Sequence, residues 1–188
     1  MKDLPTCRFG AILCDPPWAF ATRGREKHAL PQRAGQQHYR TAKTVDLADL
    51  DVRSIAAVHC ALFMWVVDSH IPQALRLGAE WGFSFKTRAF EWSKRTKSGG
   101  PTMGMGYWTR KSQESVFLFT RGRPERLSRG VRQLVETKPR EHSRKPDEVY
   151  ARIEQLVPGP YCELFARQAW PGWTAWGDQS ELFKARAA

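Results

Sequence analysis

The feature that most restricts the fold of this sequence is a short apolar segment that ends in an acid and two prolines. The segment Phe9–Cys14 has the length and apolar composition of a strand that is buried on both faces. Asp15 follows it. Pro16 and Pro17 then prevent any continuation as strand or helix, because each proline fixes φ at about −65° and lacks an N–H group. The sequence therefore predicts a stiff turn at the carboxyl end of a buried strand.

The groups at this turn suit the binding of an aromatic amine. Such an amine is a poor nucleophile, since its lone pair is delocalised into the ring, and two acceptors on its N–H groups would orient that lone pair. The carboxylate of Asp15 and the carbonyl of Pro16 are two such acceptors, and Trp18 offers a face on which a base can stack. The charge of Asp15 also favours a cationic methyl donor. The alternative is a plain strand-ending turn in which Trp18 is a core residue.

The length of the chain indicates its number of domains, and its charge indicates the class of partner. With 188 residues, of which 41% are hydrophobic, the chain fits a single domain over residues 1–188. The formal net charge of +11 indicates a polyanionic partner, because lysine and arginine release counterions from phosphates. Eight tryptophans interleaved with these cations favour nucleic acid over the alternative of a solvated basic surface.

The cysteines and histidines indicate neither a metal site nor a disulfide framework. The four cysteines lack zinc-site spacing, and the five histidines form no His-x-x-x-His pair. The sequence also shows no signal peptide and no apolar segment of membrane-spanning length. We therefore expect a soluble, intracellular, cytoplasmic protein without a membrane partner and without a bound metal.

Alternating strand and helix patterns predict parallel α/β units. The segment Ala61–Val67 is predicted as a buried strand, Ser69–Trp81 as a helix and Phe83–Lys94 as a second strand. Before these elements, one or two short helices are predicted over Thr44–Ala57. After them, strands are predicted over Glu114–Thr120, over Tyr161–Phe165 and from Trp173, and a helix is predicted to begin near Pro146.

Two long loops are predicted to lie over the turn. Residues 21–43 are polar, basic and without a helical or strand period, which favours a lid that orders on nucleic acid, with Tyr39 near its rim. Packing of Tyr39 at the end of the loop is the alternative. The stretch Glu125–Arg144 is also basic, and is either a second phosphate-contacting edge or a solvated connection.

The second loop, residues 94–113, is predicted as a nucleic-acid surface. Its two closely spaced glycines, Gly104 and Gly106, do not make a dinucleotide fingerprint, because no strand leads directly into them, no helix clearly follows and a third glycine at the right spacing is absent. A disordered basic hairpin tip is the alternative. The cations of the loop would contact phosphates: Lys94, Arg95, Arg110 and Lys111. Its aromatic rings, Tyr107 and Trp108, would stack on bases.

Four motifs in a fixed order resemble a known family. Asp-Pro-Pro-Trp at residues 15–18 is followed by Lys-Pro-Asp-Glu at 145–148, Glu-Leu-Phe-x-Arg at 163–167 and Trp-Gly-Asp at 176–178. This order is similar to that of the adenine-N(6) methyltransferases that include the catalytic subunit of the mRNA adenosine methyltransferase and bacterial and phage enzymes. The resemblance spans the chain from about Phe9 to Gln179.

The resemblance implies a Rossmann-like, S-adenosylmethionine-dependent methyltransferase fold. Its doubly wound, mostly parallel sheet would be circularly permuted, with the catalytic strand first and the donor-binding strand near the end. Ligands in such sheets bind at the carboxyl ends of the strands. Asp15 and Arg167 should therefore meet although they lie at opposite ends of the chain.

Residue roles follow from the resemblance as expectations. The catalytic set would be Asp15, Pro16, Pro17 and Trp18. S-adenosylmethionine would be bound by Asp15, by Lys145 through its carboxylate, by Phe165 and Arg167 on its ribose and adenine side, and by Asp178 and Gln179 at its adenosine. Two departures from the family pattern are Asp178, where asparagine is frequent, and Ala169-Trp170, which replaces a polar pair.

The activity implied is methyl transfer to the exocyclic amino group of adenine, with DNA favoured by the compact form of the chain. The base would be flipped out or already unpaired. RNA adenosine methylation is the main alternative. An inert nucleic-acid-binding subunit is disfavoured by the intact tetrapeptide, and a protein-glutamine methyltransferase by Trp18 and the basic loops. Both a homodimer and a partner subunit are compatible with this expectation.

Overall fold

The computed structural model describes residues 3–18, 47–104, 108–141 and 143–183. Within these ranges seven strands form one sheet, and three α-helices have defined bounds. The strands are β1 Phe9–Cys14, β2 Ala56–Val66, β3 Ser84–Lys94, β4 Gln113–Arg121, β5 Leu134–Thr137, β6 Tyr161–Leu164 and β7 Trp173–Trp176. The helices are α1 Val52–Ile55, α2 Ile71–Glu80 and α3 Glu148–Leu156, and a 3-10 turn covers Asp68–His70.

The strand order across the sheet is β5-β3-β4-β2-β1-β6-β7. Parallel pairing joins β1 to β2 and to β6, β6 to β7, and β3 to β5. Only β4 runs against its two neighbours. Six strands therefore point the same way, which confirms the expected Rossmann-like, mostly parallel sheet. The carboxyl ends of β1 and β6, from opposite ends of the chain, lie side by side.

Both faces of the sheet are covered, as in a doubly wound fold. On one face, α2 packs against β2 and β4, and a side chain at Gly78 would collide with the ring of Phe119, whose nearest atom lies 2.4 Å from an ideal Cβ. On the other face, Val149 and Ile153 of α3 are buried in the same cluster as Phe63 of β2. The glycine is required for close approach of helix and strand.

Helix α2 begins and ends where its sequence signals place it. Pro72 lies in its first turn, where a missing N–H group costs nothing. The chain leaves the helix at Gly82, whose φ of +83° is a conformation that glycine adopts without strain. The predicted helix over Ser69–Trp81 is therefore confirmed in position, although its first residues form the 3-10 turn.

Two strands differ from the predictions. β5 lies inside the stretch Glu125–Arg144, for which the sequence predicted no strand but either a phosphate-contacting edge or a solvated connection, and it pairs in parallel with the end of β3. Four residues with only Val135 buried give no readable period, so this strand depends on its neighbour. β2 also begins earlier than predicted, at Ala56, because this residue pairs with Phe9 across the start of β1.

The predicted lid over residues 21–43, with Tyr39, and the residue Tyr107 lie outside the described residues. Within the described ranges, no helix is both long and apolar enough to span a membrane. The same ranges contain no group of three or more histidine, cysteine, aspartate or glutamate side chains placed to hold a metal ion.

Candidate active site at the carboxyl edge of the sheet

The acid–proline corner lies at the carboxyl end of β1, between β2 and β6. The backbone N–H of Asp15 donates to the carbonyl of Leu164 at 3.4 Å, so the corner is tied to β6. The side chain of Asp15 is 17% exposed. The carbonyl of Pro16 has no ladder partner but accepts from the backbone N–H of Trp18 at 2.8 Å. One lone pair of this carbonyl remains for a ligand.

Trp18 does not present the open stacking face expected from the sequence. Its side chain is only 3% exposed and belongs to the hydrophobic core. The indole N–H donates to the carbonyl of Trp65 at 3.3 Å, and the ring lies 5.6 Å from the ring of His70. Burial of a large ring with its one polar group paired is favourable. Trp18 therefore fixes the corner to β2 in this structure.

A line of alternating charges runs along the carboxyl edge of the sheet to Asp15. The Nζ atom of Lys145 lies 3.1 Å from Oδ2 of Asp15 and 3.1 Å from Oε2 of Glu114. It also lies 5.1 Å above the ring of Trp65, within cation–π range. Glu114, near the start of β4, is hydrogen-bonded in turn to Lys94 at the end of β3. The acid–proline corner is thus linked to the base of the 94–113 loop.

The pKa values of Lys145 and Glu114 favour the charged forms of both side chains. Burial alone would lower the pKa of Lys145, but the negative charges of Asp15 and Glu114 outweigh it and raise that pKa. Burial likewise would raise the pKa of Glu114, but Lys145 and Lys94 lower it to about 2. Lys145 therefore holds Asp15, whereas the resemblance implied a contact with the donor's carboxylate. That contact stays a prediction for the third N–H of the ammonium group.

A cavity of about 270 Å³, part of which is open to solvent, lies beside Asp15. Four of its lining residues were expected from the sequence: Asp15, Lys145, Phe165 and Arg167. Six were not: Ser143, Arg144, Tyr150, Glu163, Gln168 and Phe183.

Two lining residues have a left-handed backbone. Ser143 has a φ of +64° and Phe165 a φ of +62°, and in the described part of the chain no other non-glycine residue has a positive φ. Such conformations are costly for residues with a Cβ atom and concentrate at functional sites. Phe165 turns the chain out of β6. Gly177 passes so close that an added Cβ would lie 2.9 Å from the backbone nitrogen of Ala166.

Glu163 is a buried carboxyl group in the wall of the cavity. Its Oε2 accepts a hydrogen bond from the hydroxyl of Tyr150 at 2.8 Å. Burial raises the pKa of Glu163 to about 8; the charge of Asp15 adds to this rise, and the hydrogen bond from Tyr150 opposes it. At neutral pH Glu163 therefore largely keeps its proton. The sequence signal was present, because a glutamate stands inside the apolar strand Tyr161–Leu164.

Asp178 and Gln179 do not line the cavity. Both follow β7; Asp178 is exposed and Gln179 is half-buried. The segment beyond them returns to the site, since the N–H of Phe183 donates to the carbonyl of Arg167 at 2.8 Å. A contact of Asp178 or Gln179 with the donor's adenosine stays a prediction.

Most of the predicted phosphate-binding cations are paired with acids of the chain. Besides the bond from Lys94 to Glu114, these pairs are Arg95 with Glu136 and Lys111 with Asp68, the latter at 2.8 Å. Arg110 is exposed, and Trp108 has 91% of its surface exposed. Nucleic-acid binding by these residues stays a prediction, for which Trp108 and Arg110 are the most accessible members.

A Rossmann-like sheet with an Asp-Pro-Pro corner beside a charged cavity at its carboxyl edge is typical of methyltransferases that act on amino groups. The profile of the MT-A70 family matches residues 9–179. The chain belongs to the MT-A70 family, which confirms the resemblance found in its motifs, and is an adenine methyltransferase.

Individual relatives agree with this assignment. The chain is 33% identical to the Type II methyltransferase M.MunI of Mycoplasma sp, over 93% of this chain and 79% of that protein. It is 30% identical to the N(6)-adenosine-methyltransferase MT-A70-like of Arabidopsis thaliana, over 91% of this chain and 24% of that protein. It is 27% identical to the N(6)-adenosine-methyltransferase catalytic subunit METTL3 of Homo sapiens, over 92% of this chain and 28% of that protein. The chain thus spans about a quarter of the plant and human proteins.

Proposed function

We propose that this chain transfers a methyl group from S-adenosylmethionine to the exocyclic amino group of adenine in DNA. The observation that carries the proposal is the position of Asp15. Its carboxylate stands on a proline-stiffened corner, lines the cavity and is held by Lys145 at 3.1 Å. A fixed acceptor next to a charged cavity is the arrangement that a methyl transfer to an amine requires.

The cavity wall fits the charges of S-adenosylmethionine. The carboxylate of Asp15 suits its cationic groups, and the guanidinium groups of Arg144 and Arg167 suit its carboxylate. Phe165 adds an aromatic wall. When bound, the donor supplies an electrophilic methyl group and retains the electron pair of the broken bond on its sulfur.

Asp15 and Pro16 would hold the target nitrogen by its two hydrogens. The carboxylate of Asp15 accepts from one N–H, and the remaining lone pair of the Pro16 carbonyl accepts from the other. The nitrogen lone pair then points away from the corner and towards the donor. As the new N–C bond forms, the nitrogen loses one proton to Asp15 or to water, so that the product amine is neutral.

Lys145 acts through Asp15. It fixes one carboxylate oxygen by an ion pair, while Glu114 holds Lys145 from the other side. An ammonium group between two carboxylates holds Asp15 in one orientation. Such prior orientation lowers the reorganisation needed during transfer.

The choice of DNA over RNA is supported by the pattern of similarity. The Type II methyltransferase is matched over most of both chains. The relatives named for adenosine or RNA are matched over about a quarter to a half of their length, so large parts of those proteins have no counterpart here. The exposed Trp108 and Arg110 are the described groups best placed to hold an unpaired strand.

A methyl-transfer assay on matched oligonucleotides tests the proposal. Purified chain and S-adenosylmethionine are incubated with single-stranded and duplex DNA and with RNA of the same sequence, and the digested nucleosides are identified by mass spectrometry. We expect N(6)-methyldeoxyadenosine from DNA. Methylation of RNA alone would establish the RNA alternative. Donor binding without transfer to any oligonucleotide would favour the inert subunit, and absence of donor binding would overturn the proposal.

A further inference from the structure

Gln168 carries a buried acceptor without a partner. The residue is 4% exposed and lines the cavity beside Asp15. Its Nε2 atom donates to Oδ1 of Asp147 at 3.1 Å and to the hydroxyl of Tyr150 at 3.4 Å. Its Oε1 atom is buried and has no hydrogen-bond partner among the residues that the structure describes.

The orientation of this amide is determined by its surroundings. The carboxylate of Asp147 can only accept a hydrogen bond, and two hydrogen bonds with Arg140, one of them 2.7 Å long, hold it in place. The Tyr150 hydroxyl, which is bonded to Glu163, is also able to accept from Nε2 of Gln168. A flipped amide would set its oxygen against the carboxylate of Asp147. Both N–H groups are thus used, and the oxygen is the group left over.

An unpaired buried carbonyl is rare in proteins and costs about 1–3 kcal/mol. Gln168 and Asp15 line the same cavity, so a ligand bound there can supply the missing hydrogen-bond donor. We propose that Oε1 of Gln168 accepts a hydrogen bond from the methyl donor, which makes Gln168 a donor-binding residue. This inference rests on the proposed function.

The chemistry of the site defines which ligand groups qualify. A carbonyl oxygen accepts from an O–H or an N–H group, so the partner is a ribose hydroxyl or the ammonium group of the donor. The hydrogen bonds to Asp147 and Tyr150 hold the amide in place before the ligand arrives. Little side-chain entropy is then lost on binding.

Calorimetric titration with two ligands tests the inference. The ligands are S-adenosylhomocysteine, which has both the ribose and the ammonium group, and 5′-methylthioadenosine, which has the ribose alone. The variant Gln168→Met keeps the length of the side chain and removes the amide. We expect it to bind S-adenosylhomocysteine about tenfold more weakly than the unmodified chain, which corresponds to about 1.4 kcal/mol.

The variant Asp147→Ala is the matched control. It removes one partner of Nε2 and keeps the hydrogen bond with Tyr150, so we expect a smaller loss of S-adenosylhomocysteine affinity than in Gln168→Met. Gln168→Asn, which withdraws the amide by one methylene group, should give an intermediate loss. This second variant keeps the test valid if Gln168→Met does not fold, as judged by its thermal melt.

The two ligands separate the two sources of the hydrogen bond. A loss with both indicates a ribose hydroxyl, and a loss with S-adenosylhomocysteine alone indicates the ammonium group. Unchanged affinity in both Gln168 variants overturns the inference and leaves the proposed function standing. An equal loss in Asp147→Ala also overturns it, because the role would then be structural. If the unmodified chain binds neither ligand, the proposed function itself fails.

Discussion

The cavity beside Asp15 and the 94–113 loop lie at the same edge of the sheet but use charge differently. In the cavity, Lys145 lies between the carboxylates of Asp15 and Glu114, and only 17% of its side chain is exposed. In the loop, Arg95 and Lys111 pair with partners that are largely exposed. Buried charges are held in one arrangement, while surface pairs are worth at most about 1 kcal/mol and exchange readily for other anions. We therefore expect the first region to serve the chemistry and the second to serve adjustable binding.

The largest difference between the regions should appear on removal of a cation. Lys145→Met removes the counter-charge of Asp15 and leaves that carboxylate beside Glu114, which keeps its ion pair with Lys94. We expect the free energy of unfolding to fall by about 3–5 kcal/mol, as measured by urea denaturation. Arg95→Met, which breaks a surface pair, should cost less than about 1 kcal/mol.

The double variant Lys145→Met/Glu114→Gln provides a control, because it removes the neighbouring carboxylate that would repel Asp15. It should recover part of the lost stability. Equal costs for Lys145→Met and Arg95→Met would show that the two regions do not differ as described.

The buried carboxyl of Glu163 should make the free energy of unfolding depend on pH, an effect that we do not expect from the loop. Its folded-state pKa is raised from the ordinary 4.5 to about 8. Its contribution to stability is therefore fully present below about pH 4.5 and is lost as the pH rises through 8. Between pH 5 and 8, the unfolding free energy of the unmodified chain should fall relative to Glu163→Gln by at most about 1.4 kcal/mol per pH unit. Parallel curves for the two proteins in urea titrations would refute the raised pKa.

The loop should respond most to the loss of its exposed ring. Trp108→Ala should weaken binding of single-stranded DNA by about 1–3 kcal/mol, measured by fluorescence anisotropy, and leave donor affinity unchanged. Met103→Ala, at a neighbouring exposed position, is the control and should have little effect. A weaker donor affinity in Trp108→Ala would mean that the loop and the cavity are not separate.

The smallest predicted effect separates the paired from the accessible cations of the loop. Arg110→Gln should reduce the slope of log binding constant against log salt concentration by about 0.9 for duplex DNA, the contribution of one phosphate contact. Arg95→Gln should change it less, because Arg95 is paired with Glu136. The same reduction in both variants would show that ion pairs within the loop do not compete with phosphates.

The sequence predicted the parts of the site that local patterns encode. The strand Phe9–Cys14 has the expected bounds, and the motifs placed Asp15, Lys145 and Arg167 around one cavity. Tyr150, in the helix after Lys145, was missed, because nothing in its local pattern distinguishes a cavity wall from a core position.

Pairings between distant elements were not predictable. The ion pair of Lys145 with Asp15 joins the segment before α3 to the end of β1. The burial of Trp18 depends on its bond to the carbonyl of Trp65 in β2. The pairing of Lys94 with Glu114 depends on the register of β3 and β4. Composition identifies a basic loop, but only the folded chain determines which cations already have partners.

The most direct test of the central claim is the single-turnover rate of methyl transfer in Asp15→Ala at saturating donor. We predict a loss of at least about 10²–10³-fold with nearly unchanged DNA affinity, since the corner would no longer hold the amine by both hydrogens. Asp49→Asn, at an exposed position away from the cavity, should transfer at the normal rate. A rate in Asp15→Ala close to that of the unmodified chain would contradict the account.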